Sequence, residues 1–180
     1  MTRASSGRAL WRLAALLATT AWLAACATRP PDVVEMPWTS GRLSVRVEAY
    51  ADAPARSVSA SFDVRGSSER GELRLTSPLG SLLAVATWAP GLAQLKTSEG
   101  ETQFSNLEAL SQQALGETLP LSALPDWLAG RPWPLVPSQS TAEGFTQLGW
   151  QVTLTRWAEG WVDAERAAAP VVKVRARIER

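Results

Sequence analysis

The chain has 180 residues, with 18 Lys and Arg against 17 Asp and Glu, one cysteine and no histidine. This inventory excludes Ser-His triads and histidine-bearing metal sites, and it allows no intrachain disulfide. All 17 acidic residues and 15 of the 18 basic ones lie beyond residue 25, so that part carries a net charge of −2, which is no nucleic-acid footprint.

Residues 1–25 differ in composition from everything after them. Arg3, Arg8 and Arg12 make a positive leader, and Leu13 to Trp22 form an apolar stretch of ten residues. That is too short to cross a hydrocarbon core of roughly 30 Å, and it suits the apolar centre of a secretory signal. Leu23-Ala24-Ala25 then leads directly into Cys26, the only thiol in the chain. Small side chains admit a signal peptidase, and the thiol can be alkylated by lipid. Residues 1–25 are therefore read as a lipoprotein signal peptide and Cys26 as the lipidated residue. An ordinary export signal with an incidental cysteine is the alternative. In the sorting scheme that such a site implies, aspartate after the cysteine commonly retains a lipoprotein in the inner membrane. Ala27 stands there, so the expected location is the outer membrane, facing the periplasm.

From Ala27 to Pro37 the chain has three prolines and no hydrophobic period. Residues 26–37 read as a flexible tether, reaching about 35 Å when extended. Residues 38–180 are long enough for one domain with a single core.

Alternation then begins, the mark of a strand with one wet face. Leu43, Val45, Val47 and Ala49 oppose Ser44, Arg46 and Glu48. Val58, Ala60, Phe62 and Val64 oppose Ser57, Ser59, Ser61 and Asp63, and Leu73 and Leu75 oppose Glu72, Arg74 and Thr76. Leu82 to Trp88 and Leu92 to Thr97 read as the next two strands of an antiparallel meander. The period changes at Ser105 and Glu108, read as a capping box, with Leu107, Leu110 and Ala114 on one helical face and Gly116 as the stop. A second short helix is expected from Ser122 to Gly130, with Pro125 in its first turn and Leu124, Trp127 and Leu128 facing inward. After the proline-rich loop from Arg131 to Pro137, strands resume with Trp150, Val152 and Leu154, and a last one has Val172, Val174, Ala176 and Ile178 on its apolar side.

Strands, two helices and further strands give a mainly β (α+β) fold, a curved antiparallel sheet whose hollow face is closed by a helical insert. Periodicity leaves open whether the helices complete a solid core or cover an apolar cavity. The turn Ser77-Pro78-Leu79-Gly80 places an apolar residue where turns are normally polar. Leu79 either projects from the sheet or folds back onto the core.

Trp38 with Gly41-Arg42-Leu43, the turn Ser77-Pro78-Leu79-Gly80, Leu119-Pro120-Leu121 with Leu124 and Trp127-Leu128-Ala129-Gly130, and Gly144-Phe145 with Leu148-Gly149-Trp150 occur in this order. Together on a lipoprotein precursor they resemble the LolB family of outer-membrane lipoprotein receptors. The departure is at the end, where Trp157 to Arg180 is short for that family's last strands and lacks their final tryptophan. The resemblance implies a half-open β-barrel with a helical lid. It implies a monomeric receptor that takes client lipoproteins from the soluble carrier LolA and places them among outer-membrane lipids, without a cofactor. The acyl chains would lie against Leu43, Val45, Val47, Phe62, Leu73, Leu75, Val85, Trp127, Leu128 and Trp150. The loop Pro78, Leu79 and Gly80 would assist insertion into the membrane.

Other classes fit less well. Glu69, Glu72, Glu99 and Glu101 could in principle supply a carboxylate pair, but they read as solvated strand and loop ends. A non-catalytic scaffold lipoprotein of an outer-membrane assembly complex is the remaining alternative, and it would need a solid core instead of a hollow.

Overall fold

Strand β1 (Thr39–Val47) shows how the sheet is phased. Its alternate residues pair on both sides: Leu43 lies opposite Ala60 and Ala176, Val45 opposite Val58 and Val174. One face of three adjacent strands is thereby apolar, while Arg42, Ser44 and Arg46 face the other way with Ser61, Ser59 and Ser57. A computed structural model of the chain describes residues 36–179; the expected signal peptide, Cys26 and the expected tether through Glu35 lie outside the described residues.

The remaining strands are β2 (Arg56–Gly66), β3 (Gly71–Thr76), β4 (Leu82–Ala89), β5 (Leu92–Thr97), β6 (Gly100–Phe104), β7 (Ser138–Thr141), β8 (Gly144–Gln147), β9 (Trp150–Thr153), β10 (Trp161–Arg166) and β11 (Val172–Ile178). They form one antiparallel sheet in the order β6-β5-β4-β3-β2-β1-β11-β10-β9-β8-β7. The sheet is curved but not closed, a half-open barrel whose edges are β6 and β7. The last strand is interior, lying between β1 and β10, so the short C-terminal segment completes the middle of the sheet.

Four strands, β6, β7, β8 and β10, add to those expected from alternation. Ala49 is exposed beyond the end of β1 instead of continuing its inner face.

Between β6 and β7 lies the lid. Helix α1 (Leu107–Leu115) buries Leu107 and Leu110 and ends at Gly116, whose φ of 72° suits glycine. Its N-cap is Asn106, not Ser105: the Asn106 carboxamide oxygen accepts from the Ala109 N–H at 2.8 Å. Glu108 does not reach back to a cap; it accepts from the Ser122 hydroxyl at 2.9 Å and so ties α1 to the next turn. That turn is a 3-10 segment, Leu121–Ala123, running into helix α2 (Leu124–Leu128) with Pro125 in its first turn.

Two apolar clusters fill the inner face. One joins β1 and β8 to β11 around Trp127, which meets Phe145 edge-on and Trp150 at a tilt, each at 6.3 Å between ring centres. The other joins β2 to β5 with α1 and Leu128. Leu43, Leu121 and Ile178 pack against both clusters.

Candidate functional site: an apolar cavity under the lid

Where the lid spans the curved sheet, the two do not meet everywhere, and a cavity of about 750 Å³ remains between them. That volume lies within the range of about 300–1,000 Å³ usual for ligand sites. Leu43, Val45, Phe62, Leu73 and Leu75 line it from the sheet, Trp127 and Leu128 from α2, and Trp150 from β9. Most of the remaining lining is apolar too, including Leu110, Leu121, Leu124, Val162 and Val174. Polar residues border it as well: Thr97, Glu99 and Thr102 of the β5–β6 hairpin and Gln113 of α1. Ser111 also borders the space. Its hydroxyl, however, donates to the Glu108 carbonyl at 2.9 Å and accepts from the Leu119 N–H at 2.9 Å, so it is engaged within the lid.

Two residues expected at the cavity stand elsewhere. Val85 pairs with Arg74 and Lys96, on the face opposite Leu73 and Leu75, and it points away from the hollow. The inner positions of β4 are Ala84 and Ala86, opposite Leu75 and Leu73. Val47 faces inward and is buried, but in the packed cluster with Leu119 and Phe145 and not along the cavity.

The turn between β3 and β4 is built to hold its tip outward. The Ser77 N–H donates to the Ser81 carbonyl at 2.8 Å, the Gly80 N–H to the Ser77 carbonyl at 2.9 Å, and the Ser81 N–H to the Ser77 hydroxyl at 3.1 Å. Gly80 has a φ of 85°. Between them Leu79 is 94% exposed. Next to this turn a β-bulge makes Leu83 an extra residue between the pairs Thr76–Leu82 and Leu75–Ala84. Leu83 thereby joins Ala84 at the cavity wall while remaining exposed.

Residues 38–177 match the family model described as "Outer membrane lipoprotein LolB". The chain belongs to the LolB family. It is 33% identical to the outer-membrane lipoprotein LolB of Cupriavidus metallidurans, over 93% of this chain and 87% of that protein. Identity to the LolB proteins of Bordetella petrii and Chromobacterium violaceum is 34% in each case, over 82% and 80% of this chain and 78% and 82% of theirs.

One important residue of this LolB-family domain was not singled out by its sequence. Gln147, at the end of β8, is buried and uses all four of its hydrogen-bonding positions. Its oxygen accepts from the Trp127 indole and the Trp133 N–H, each at 2.9 Å, and its nitrogen donates to the carbonyls of Trp133 and Val136, each at 2.8 Å. It thus fixes the orientation of a cavity-lining tryptophan and the loop that follows the lid. Val162 and Ala164 of β10 also line the cavity. Their alternation with Asp163 and Glu165 was the signal that could have found them.

Proposed function

We propose that this chain is a lipid-anchored outer-membrane receptor that accepts lipoproteins from the carrier LolA, holds their acyl chains in the cavity under the lid, and releases them into the membrane. The observation that carries this reading is the lining of the cavity, which is predominantly apolar and reaches Leu83, next to the turn that exposes Leu79. An acyl chain in water costs about 0.8 kcal/mol per CH₂, on the order of 10 kcal/mol per chain, so a protein that passes lipoproteins across an aqueous space must enclose them. Without nucleotide energy, transfer runs from weaker to tighter binding, each 1.4 kcal/mol giving about tenfold.

In this reading Cys26 carries the anchor, the domain faces the periplasm as a monomer, and the protein performs no catalysis. The loop Pro78, Leu79 and Gly80 serves release: an apolar tip entering the bilayer is favoured by about 1.5 to 3 kcal/mol for a buried leucine. The test loads LolA with a labelled lipoprotein and follows the label first to this protein and then into liposomes. Wild type should complete both steps. Leu79→Glu should complete the first and slow the second by roughly tenfold to a hundredfold. Failure of the wild-type protein to remove label from LolA would overturn the reading.

A further inference from the structure

Because successive strands are antiparallel, the β1–β2 loop, the β3–β4 turn and the β5–β6 turn all lie at one end of the sheet. The β2–β3 loop, containing Arg70, lies at the other. The first end carries a group of apolar side chains that the domain leaves uncovered: besides Leu79, Leu82 is 60% and Tyr50 55% exposed, and Val58 and Leu83 are exposed although both line the cavity. An apolar surface therefore continues from inside the hollow, over Val58 and Leu83, to the hairpin tips.

Tyr50 is not on a slack loop. Its N–H donates to the Ala53 carbonyl at 3.1 Å and its carbonyl accepts from the Ala53 N–H at 3.0 Å, closing a small ring around Ala51 and Asp52. Ala51 has a φ of 49°, a conformation that fixes the tip. Around the tyrosine the loop offers little for specific recognition, reading Glu48-Ala-Tyr-Ala-Asp-Ala-Pro-Ala-Arg56. Separate tips on neighbouring hairpins make a poor match for a protein partner, which needs a continuous patch of about 800 Å² per side. They suit a fluid surface that conforms to them.

We infer that Tyr50 is a second membrane contact beside Leu79, and that the two enter the bilayer to different depths. This deepens, and rests on, the release step proposed above. From Leu75 to Leu95 the chain contains no ionisable side chain, so the β3–β4 hairpin tip enters hydrocarbon without desolvating a charge. The Tyr50 loop carries Asp52 at its tip, and a carboxylate stops at the headgroups. A tyrosine is suited to that level, with an apolar ring and a phenol that keeps its hydrogen bonds to water or phosphate. Leu79 thus probes the acyl region, Tyr50 sits at the interface, and Val58 and Leu83 connect both to the cavity.

The experiment places a fluorophore on an introduced thiol, Tyr50→Cys, Leu79→Cys or, as the far-end control, Arg70→Cys, in the full lipidated chain. Each protein is anchored in vesicles of phosphatidylethanolamine and phosphatidylglycerol with bromine near the headgroups or deep in the acyl chains. Shallow bromine should quench the Tyr50 probe most, deep bromine the Leu79 probe, and neither the Arg70 probe. Tyr50→Ser should also slow lipoprotein release to these vesicles by roughly three- to tenfold, the range that a loss of about 0.7 to 1.4 kcal/mol gives, with uptake from LolA unchanged. A Tyr50 probe as unquenched as that at Arg70, beside a quenched Leu79 probe, would overturn this inference and leave the receptor reading intact. Absence of quenching at both tips would overturn it together with the insertion role of the rim.

Discussion

Arg166 of β10 and Glu117, just beyond α1, fasten the lid to the sheet beside the cavity. The Arg166 guanidinium donates to the Glu117 carboxylate at 2.6 Å, and both side chains are largely covered, at 19% and 15% exposure. The same guanidinium donates to the Pro170 carbonyl at 3.2 Å and lies 5.8 Å from the centre of the Trp150 ring, which lines the cavity. Arg166→Ala leaves Glu117 without its cation in a covered position and should lower stability by about 1–3 kcal/mol. Glu117→Gln keeps an acceptor and should cost less. A bound fluorescent fatty acid should dissociate faster from Arg166→Ala than from wild type. Equal dissociation rates would show that the pair holds the fold and not the lid.

Val47 and Leu75 should respond differently to the same charge. Val47 is 6% exposed within a packed cluster, so Val47→Asp buries a carboxylate with no solvent and no partner and should unfold the domain. Leu75 borders the cavity, where an introduced carboxylate can be hydrated. Leu75→Asp should keep a cooperative melt and lose fatty-acid binding. A collapse of Tm in both variants would mean that the hollow does not admit water.

Removing the buried carboxamide of Gln147 strands several groups together. In Gln147→Ala the Trp127 indole, the Trp133 N–H and two carbonyls lose a partner. Each such loss costs about 1–3 kcal/mol unless water replaces it. We expect a fall of roughly 3 kcal/mol or more in denaturant unfolding, with the Trp127 side chain no longer fixed. Hydrogen exchange at the Trp127 indole would report that second change directly.

Stability at acid pH should depend on Glu72. Burial opposes its ionisation, but hydrogen bonds from Arg65 and Arg74, each at 2.7 Å, and the charges of the two guanidiniums outweigh it, so its carboxyl lies below the ordinary value of 4.5. A carboxyl lowered on folding stabilises the native state fully above its unfolded pKa, and the contribution is lost as pH falls through the folded one. The urea midpoint of wild type should therefore drop as pH is lowered below 4.5, and Glu72→Gln should flatten that part of the decline. Parallel declines in the two proteins would remove Glu72 from the account. The same arginines lie 4.4 Å and 4.7 Å from the centre of the Trp38 ring, so the variant should also loosen the start of the domain.

Much of this fold was legible because half-buried strands of five or more residues leave a period of two, as Leu43 to Val47 and Val58 to Val64 do. Of the strands that escaped, β10 kept that signal in Val162 and Ala164 against Asp163 and Glu165, while β7 and β8 lacked it. In β7, Ser138 to Thr141 are polar and exposed at a sheet edge, so no apolar phase exists to read. β8 is only four residues long. Val85 was misplaced because the phase within β4 depends on a bulge that no alternation reveals. At α1, Ser105 and Asn106 are both good capping residues, and only the backbone shows which carries the bond. Periodicity marks which face Val47 and Leu75 share. Their difference in depth depends on where the lid rests, and that is a property of tertiary packing.

The free edges of the sheet bear on the range of cargo that the proposed receptor holds. In a closed barrel, strand number and shear fix the circumference, and widening it breaks backbone hydrogen bonds. Here β6 and β7 are the terminal strands, with no ladder joining them. The distance between these edges is therefore set by side-chain packing under the lid and not by the peptide backbone. The wall can spread or tighten while every interstrand hydrogen bond stays intact. Under the proposed function, one and the same scaffold then serves clients that differ in the number or length of their acyl chains, without a separate pocket for each.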